Sequence, residues 1–165
     1  MKLEINKIST SKETIVDENL TLDSEVYPPH FPLQEIKNIH ASIKAQKFDG
    51  FVTINLNIKA DVVLICSYTL KPFQTALKNS ENYTFTFYEE DQDEDMILIK
   101  GNIIDLTQYI YDLVVSSIPM KPVAPNAKLP KEGNGYRVIS SDDFEKEKET
   151  KGNSKFDKLK DLELD

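Results

Sequence analysis

The chain of 165 residues is short of the side chains on which most enzymes and metal proteins depend. It has one cysteine, two histidines, five glycines and no tryptophan. A single cysteine excludes an intramolecular disulfide and a cysteine-based zinc cluster. The glycines are scattered, so the sequence contains no glycine-rich phosphate loop. These shortages predict a protein that is not an enzyme and that carries no cofactor.

The sequence also lacks a long apolar segment. No stretch approaches the ~20 apolar residues that a membrane span needs. Glu4 interrupts the position where a signal peptide would build its apolar region. We therefore expect a cytoplasmic protein, and an unpaired cysteine fits a reducing compartment. The length predicts one α+β domain over residues 1–139, followed by a charged tail, disordered or a short helix, over residues 140–165.

Negative charge is concentrated in two places. The net charge is -8, of which residues 89–95 contribute -6 and residues 140–165 contribute -3, so the remainder is close to neutral. A basic face typical of proteins that hold RNA by its phosphates is not evident. The acidic run is open to three interpretations: a solvated hairpin loop, a contact for a basic partner, or a metal site without EF-hand spacing. Its acids are Glu89, Glu90, Asp91, Asp93, Glu94 and Asp95.

Alternation with period two predicts that most of the first two thirds forms strands. The clearest run covers residues 51–66, with Leu56 on the apolar face and Asn55 on the polar face. Its length predicts a break near residues 59–61. Asp49-Gly50 predicts a tight hairpin turn before this strand. The other predicted strands cover residues 2–8, 16–22, 38–47, 83–88 and 96–100.

One main helix is predicted over residues 106–117, because apolar residues recur there at the spacing of a core-facing stripe. Asp105 stands where it can cap the first turn, with Gln108 completing a capping box. A proline-rich segment, residues 119–130, should then run extended over the surface. Together these elements predict an α+β fold: a curved antiparallel sheet packed by one main helix, with a polar C-terminal tail.

The side chains with reactive potential have ordinary explanations. His40 falls on the polar face of its strand, and His30 falls in an irregular proline-rich segment. Neither is accompanied by the convergent partners that a general base or a metal site needs. Cys66 falls on the apolar face of its strand, which favours a packing role over a reactive thiol.

Three motifs occur in an order that is typical of a known family. Cys-Ser-Tyr-Thr-Leu-Lys-Pro-Phe at residues 66–73 follows the long strand. An Asp-Leu helix then leads into Pro119 and Pro122, and the tail carries Lys155 and Phe156 ahead of spaced leucines. In this layout the chain resembles the YceD family, also called large ribosomal RNA subunit accumulation proteins.

The resemblance implies a non-enzymatic factor that supports accumulation of large-subunit rRNA, through ribosome assembly or rRNA stability. Many relatives hold two cysteine pairs that look able to bind zinc. Here Thr69 replaces the second cysteine of the first pair, and residues 123–127 lack the second pair. A soft four-ligand site cannot be built from Cys66 alone, so no metal is expected.

A near-neutral body with acidic appendages predicts a basic ribosomal protein or an assembly factor as the partner. The candidate contact residues are the six acids together with Pro119, Pro122, Lys155 and Phe156. Neither a membrane nor a small-molecule substrate is expected. Two alternatives stay open: a general protein-interaction adaptor, and a direct RNA-binding protein whose lysines converge in three dimensions.

Overall fold

The computed structural model describes residues 1–89 and 96–151, with the backbone alone at residues 141, 142 and 149–151. By its contacts the chain divides into two units, Met1–Ala124 and Pro125–Asp165. The second unit contains helix α2, Ser141–Lys151. In the described residues, no helix is both long enough and apolar enough to cross a membrane.

The described residues of the first unit form seven strands, a 3-10 helix and one α-helix. In chain order they are β1 (Lys2–Glu4), the 3-10 helix (Ile5–Lys7), β2 (Thr14–Leu20), β3 (Leu33–Lys47), β4 (Phe51–Ile65), β5 (Pro72–Thr86), β6 (Met96–Leu98), β7 (Ile103–Asp105) and α1 (Thr107–Ser116). The predicted strand over residues 2–8 is therefore shorter than expected, because the chain turns into the 3-10 helix after Glu4.

The strands described in this unit form two sheets. β1 and β7 form an antiparallel pair, and β2-β3-β4-β5-β6 form an open, partly curled sheet in that order. The predicted α+β class, with a curved sheet and one main helix, is confirmed. The pairing of the last strand differs from the prediction, because β6 runs parallel to β5 whereas β2 to β5 are antiparallel.

The parallel pairing of β5 and β6 determines which kind of connection the acidic run belongs to. After β5, the backbone N–H of Phe87 donates to the Gly50 carbonyl at 3.0 Å, so the chain continues toward the β3–β4 turn. The N–H of Ile99, just after β6, donates to the Thr86 carbonyl at 2.9 Å. Residues 87–95 therefore connect two parallel strands, and the interpretation of the acidic run as a hairpin loop is wrong.

β4 is the central strand, and its predicted faces are confirmed. Every second residue from Val52 to Leu64 is buried, and Leu56 has no exposed surface. The predicted break near residues 59–61 is wrong, because β4 pairs with β5 without interruption from Phe51 to Ile65. The irregularities lie in β3 instead, near its start, where register shifts occur. The start of β3 lies beyond its pairing with β2, which covers residues 39–45, and a segment paired on one side only absorbs such bulges at less cost.

The β3–β4 hairpin forms where Asp49-Gly50 predicts it. Phe48 N–H donates to the Phe51 carbonyl at 2.8 Å, and Gly50 adopts φ 90°. A Cβ atom at Gly50 would lie 3.2 Å from the Tyr88 ring in a conformation that other residues rarely adopt. Glycine is therefore required at position 50, both by the backbone conformation of the turn and by the neighbouring Tyr88 ring.

α1 packs on the inner face of β4 and β5. Tyr109 on this helix contacts the rings of Tyr83 and Phe85 on β5, with centroids 4.9 Å and 5.7 Å away. Partial burial raises the pKa of both tyrosines. The predicted apolar stripe is confirmed by the buried side chains Leu106, Ile110, Leu113 and Val114.

Asp105 holds the start of α1. It lies one residue before the N-cap, and its carboxylate accepts hydrogen bonds from the Thr107 hydroxyl at 2.6 Å and the Thr107 N–H at 3.0 Å. These bonds, with the hydroxyl bond first, hold the pKa of Asp105 below its usual range. The predicted capping box is wrong, because Gln108 donates to Asp112 at 2.8 Å instead.

Candidate functional site

The three predicted contact residues that the structure describes lie at opposite ends of β5. Glu89 is exposed shortly after the strand ends, whereas Pro119 and Pro122 follow α1 near the turn that precedes the strand. A strand of this length spans about 45 Å. The remaining predicted contacts, Glu90, Asp91, Asp93, Glu94, Asp95, Lys155 and Phe156, lie outside the described residues.

The turn between β4 and β5 fastens the proline segment to the sheet. The backbone N–H of Leu70 donates to the Cys66 carbonyl at 2.8 Å, and Leu70 adopts φ 55°. The N–H of Ser67 donates to the Pro122 carbonyl at 2.8 Å. Pro122 is buried by this docking, whereas Pro119 is exposed. Two motifs that lie far apart in sequence therefore meet at one end of the sheet.

The thiol of Cys66 lies inside this turn and has no exposed surface. The backbone N–H of Ala124 donates to its sulfur at 3.4 Å. This bond and a hydrogen bond from the Thr69 side chain lower the pKa of Cys66 from 9.0 to about 7, against the raising effect of burial. The predicted burial of Cys66 is confirmed, and its acidity is a feature that the sequence does not reveal.

Exposed apolar side chains surround the same end of the sheet. Leu70 is 72% exposed, and Met120 is fully exposed. Phe31 is 79% exposed, and the carbonyl of the next residue, Pro32, accepts the N–H of Ile65 at the end of β4. A single exposed apolar side chain is ordinary at a protein surface, but three of them at one end of the sheet form a candidate contact surface.

The outer face of the five-stranded sheet is polar. Within the described part of the first unit the α-helix lies on the other face. Side-chain amides link neighbouring strands: Asn55 donates to Asn82 at 2.7 Å, and His40 Nδ1 lies 3.0 Å from Asn19 Oδ1. Strand pairing arranges this face in three rows, Asn19–His40–Lys59–Lys78, Asp17–Ser42–Asn57–Ser80 and Ile15–Lys44–Asn55–Asn82.

Lys59 and Lys78 form the basic part of this face, named here the lysine pair. They lie directly opposite one another on β4 and β5, and both are exposed. Neither forms an ion pair with a described residue. They border a depression of about 500 Å³ that is also lined by His40, Ser42, Asn57 and Ser80.

Sequence reasoning finds only half of the lysine pair. Alternation along β4 predicts that Lys59 faces outward, as the structure shows. Lys78 carries no comparable signal, because the first half of β5 is not predicted as a strand. The first half of β5 carries Asn79 on its inner face. The Asn79 side chain donates to the Leu113 carbonyl of α1 and to Ser116 Oγ, at 3.4 Å each. A polar residue at an inward position hides the alternation.

Comparison with known proteins places the chain in a family. The family model described as large ribosomal RNA subunit accumulation protein YceD matches residues 54–163. The chain belongs to the YceD family. A YceD relative in Bacillus subtilis (strain 168), named as the uncharacterized protein YlbN, is 26% identical over 109 residues. The match covers 62% of this chain and 61% of the relative. No solved structure matches the chain significantly.

The zinc that the YceD resemblance implies for many relatives does not fit this chain. The two segments expected to carry cysteine pairs do meet, at Cys66–Thr69 and at residues 122–124. Only one of them supplies a thiol, and its sulfur is surrounded by donors rather than by further ligands. Among the described residues, no group of three or more acidic, histidine or cysteine side chains is arranged to hold a metal ion.

Proposed function

We propose that this protein is a non-enzymatic factor that supports accumulation of the large-subunit ribosomal RNA. The observation that carries the proposal is the YceD family match over residues 54–163, since the family is described by that role. The match includes most of β4, all of β5 and α1, which contribute to the core, and the docked proline segment.

The chemistry of the described residues supports a binding role. His40 lies exposed beside Asn19, with a carboxamide rather than a carboxylate as its hydrogen-bond partner. Cys66 has a lowered pKa but is enclosed, and a nucleophilic thiol needs access to its substrate. A base or nucleophile with an orienting partner in a cleft would support an enzyme, and these residues do not form one.

The partner that we propose is a basic ribosomal protein or an assembly factor of the large subunit. Six carboxylates within residues 89–95 repel one another, and a cationic partner relieves that repulsion. The acidic tail, with net charge -3 over residues 140–165, adds to the same attraction. Such contacts steer association and weaken as salt rises.

A general protein-interaction adaptor is the second candidate. Leu70, Met120 and Phe31, exposed around the β4–β5 turn, favour this alternative. Apolar contact there would be insensitive to salt, unlike attraction to the acidic run. Salt dependence of partner capture therefore separates the two candidates.

The proposal is tested in cells that lack the gene. We expect their large-subunit rRNA to fall relative to small-subunit rRNA, and the wild-type gene to restore it. A variant in which the six acids of residues 89–95 become Asn and Gln should restore it poorly. It should also capture less ribosomal protein at low salt, because the attraction for the basic partner is lost.

A matched control neutralises the same number of exposed acids elsewhere. The substitutions are Glu13→Gln, Glu18→Gln, Glu25→Gln, Glu35→Gln, Glu81→Gln and Glu132→Gln, all outside the acidic run and the acidic tail. This control should behave as wild type. Normal rRNA levels after gene deletion would refute the proposed function. A neutral acidic run that restores rRNA fully and retains its partners at every salt concentration would refute the role of these acids.

A further inference from the structure

We propose that the outer sheet face binds the phosphate backbone of double-helical RNA at the lysine pair. This inference rests on the proposed function, because it names the RNA of that function as a direct ligand. It assigns a contact to Lys59 and Lys78, which lie on the described sheet and outside the acidic segments.

The lysine pair is an arrangement that favours an anion. Directly opposite side chains on neighbouring strands hold their Cβ atoms about 5 Å apart, and like charges in such a pair destabilise a sheet. No described carboxylate forms an ion pair with either lysine. An anion bound between them removes this repulsion. The free protein is therefore destabilised by the two like charges, and binding of an anion relieves that destabilisation.

The surrounding side chains match the polar groups of a nucleic-acid backbone. Ser42, Asn57 and Ser80 form the neighbouring row across the same three strands, and all three line the depression. Lysine, serine and asparagine side chains are typical contacts of phosphate and sugar oxygens. The depression is open and shallow rather than an enclosed ligand cavity, which suits an extended backbone.

The composition of the face favours a helix over unpaired bases. The three rows around the lysine pair contain no Phe, Tyr or Trp, and His40 is their one ring, so they offer no run of stacking platforms for successive bases. The nearest aromatic on this face of β4, Phe51, stacks on Phe48 at the hairpin end, with centroids 4.9 Å apart. Helical RNA is recognised largely by shape, phosphates and ribose hydroxyls, and this face supplies those contacts.

Two flanking carboxylates favour RNA over DNA. Asp61 lies two residues beyond Lys59 on the same face, and Asp17 lies in the neighbouring row. Both are exposed, and they repel any anion, so a bound phosphate is held at the lysines and not at these carboxylates. A carboxylate accepts a hydrogen bond from the ribose 2′-hydroxyl, which RNA has and DNA lacks.

The test compares the full chain with Lys59→Gln/Lys78→Gln in binding to a 20-base-pair RNA duplex, a DNA duplex of the same sequence and a polyglutamate peptide. We expect the double variant to bind the RNA at least about tenfold more weakly at 0.1 M salt. Its salt slope should fall by about 2, since each phosphate contact contributes about 0.9. Its melting temperature should be unchanged or slightly raised, because a like-charge pair is removed.

The matched control is Lys71→Gln/Lys121→Gln, which removes the same charge from exposed positions near the β4–β5 turn. It should retain wild-type RNA affinity. The inference is refuted if the wild-type chain does not bind the RNA, if both double variants lose affinity equally, or if polyglutamate or DNA binds as tightly as RNA. In each case the proposed function still stands where gene deletion lowers large-subunit rRNA, so the two failures are distinguishable.

Discussion

A single thiol, Cys66, lies enclosed at the end of β4 among donors that the fold supplies from three directions. The Ala124 N–H arrives with the proline segment, the Thr69 hydroxyl comes from the turn, and the backbone of residues 68 and 69 adds further bonds. These donors stabilise the thiolate more than the thiol. The sequence pattern predicts only a packing role for Cys66. In the folded protein the same residue is also an ionisable group.

The lowered pKa of Cys66 makes the stability of the protein depend on pH. The folded-state pKa of about 7 lies below the ordinary value of 9.0, so the folded state releases this proton first. The resulting stabilisation is fully present above pH 9 and is lost as the pH falls through about 7. We expect the difference in unfolding free energy between wild type and Cys66→Ala to be larger at pH 9 than at pH 6, measured by urea unfolding with reductant.

The loss of side-chain volume in Cys66→Ala contributes an offset that does not change with pH. A difference that is the same at both pH values would show that the thiolate is not stabilised in the folded state. Titration of the thiol by its ultraviolet absorbance gives an independent reading of the same pKa.

At the scale of the element, the organising unit is β4, a strand of fifteen residues paired on both sides along its length. Its inward residues meet α1 and the residues of the β1–β7 pair in one apolar core. Its outward residues join the amide and lysine rows. One strand therefore supplies both the stability of the first unit and the surface that we assign to RNA.

Substitutions on the two faces of β4 should have unequal effects. Leu56→Asp places an unpaired charge at a position with no exposed surface and should cost several kcal/mol, enough to unfold the domain. Asn55→Asp, one residue away, loses the hydrogen bond to Asn82 and should cost about 1 kcal/mol. Thermal unfolding of the two variants measures the contrast, and equal losses of melting temperature would contradict these strand faces.

At the scale of the whole molecule, the distribution of charge is the feature that relates fold to function. The acidic run follows one end of β5, the docked proline segment meets the turn at the other, and the lysine pair lies between them on the outer face. A protein and an RNA ligand could then be held at different places on one sheet. This separation fits the assembly role that we propose, in which protein and RNA must be brought together.

We expect the purified protein to contain no stoichiometric zinc. One thiol and its surrounding donors cannot supply the four ligands of a structural zinc site. Elemental analysis measures the metal content directly, and a chelator should leave the melting temperature unchanged. One zinc per chain, or a melting temperature that falls on chelation, would contradict this prediction.

The sequence by itself determined the local features of this protein. Alternation set the faces of β4, the 3.6-residue spacing set the buried stripe of α1, and Asp49-Gly50 set the hairpin, because each depends on neighbours within a few residues. The motif order around Cys66 and Pro119 likewise indicated the YceD family, which the family match confirmed.

Only the tertiary structure decided which distant residues meet. The parallel direction of β6, the length of β5, the pairing of Lys59 with Lys78 and the acidity of Cys66 all depend on contacts between separate segments. In the sequence, a polar residue such as Asn79 at an inward position is typical of a loop. Only the folded protein shows that α1 provides its hydrogen-bond partners. The physical reason is that hydrogen bonds and charges act over a few ångströms in space, whereas sequence patterns record only distance along the chain.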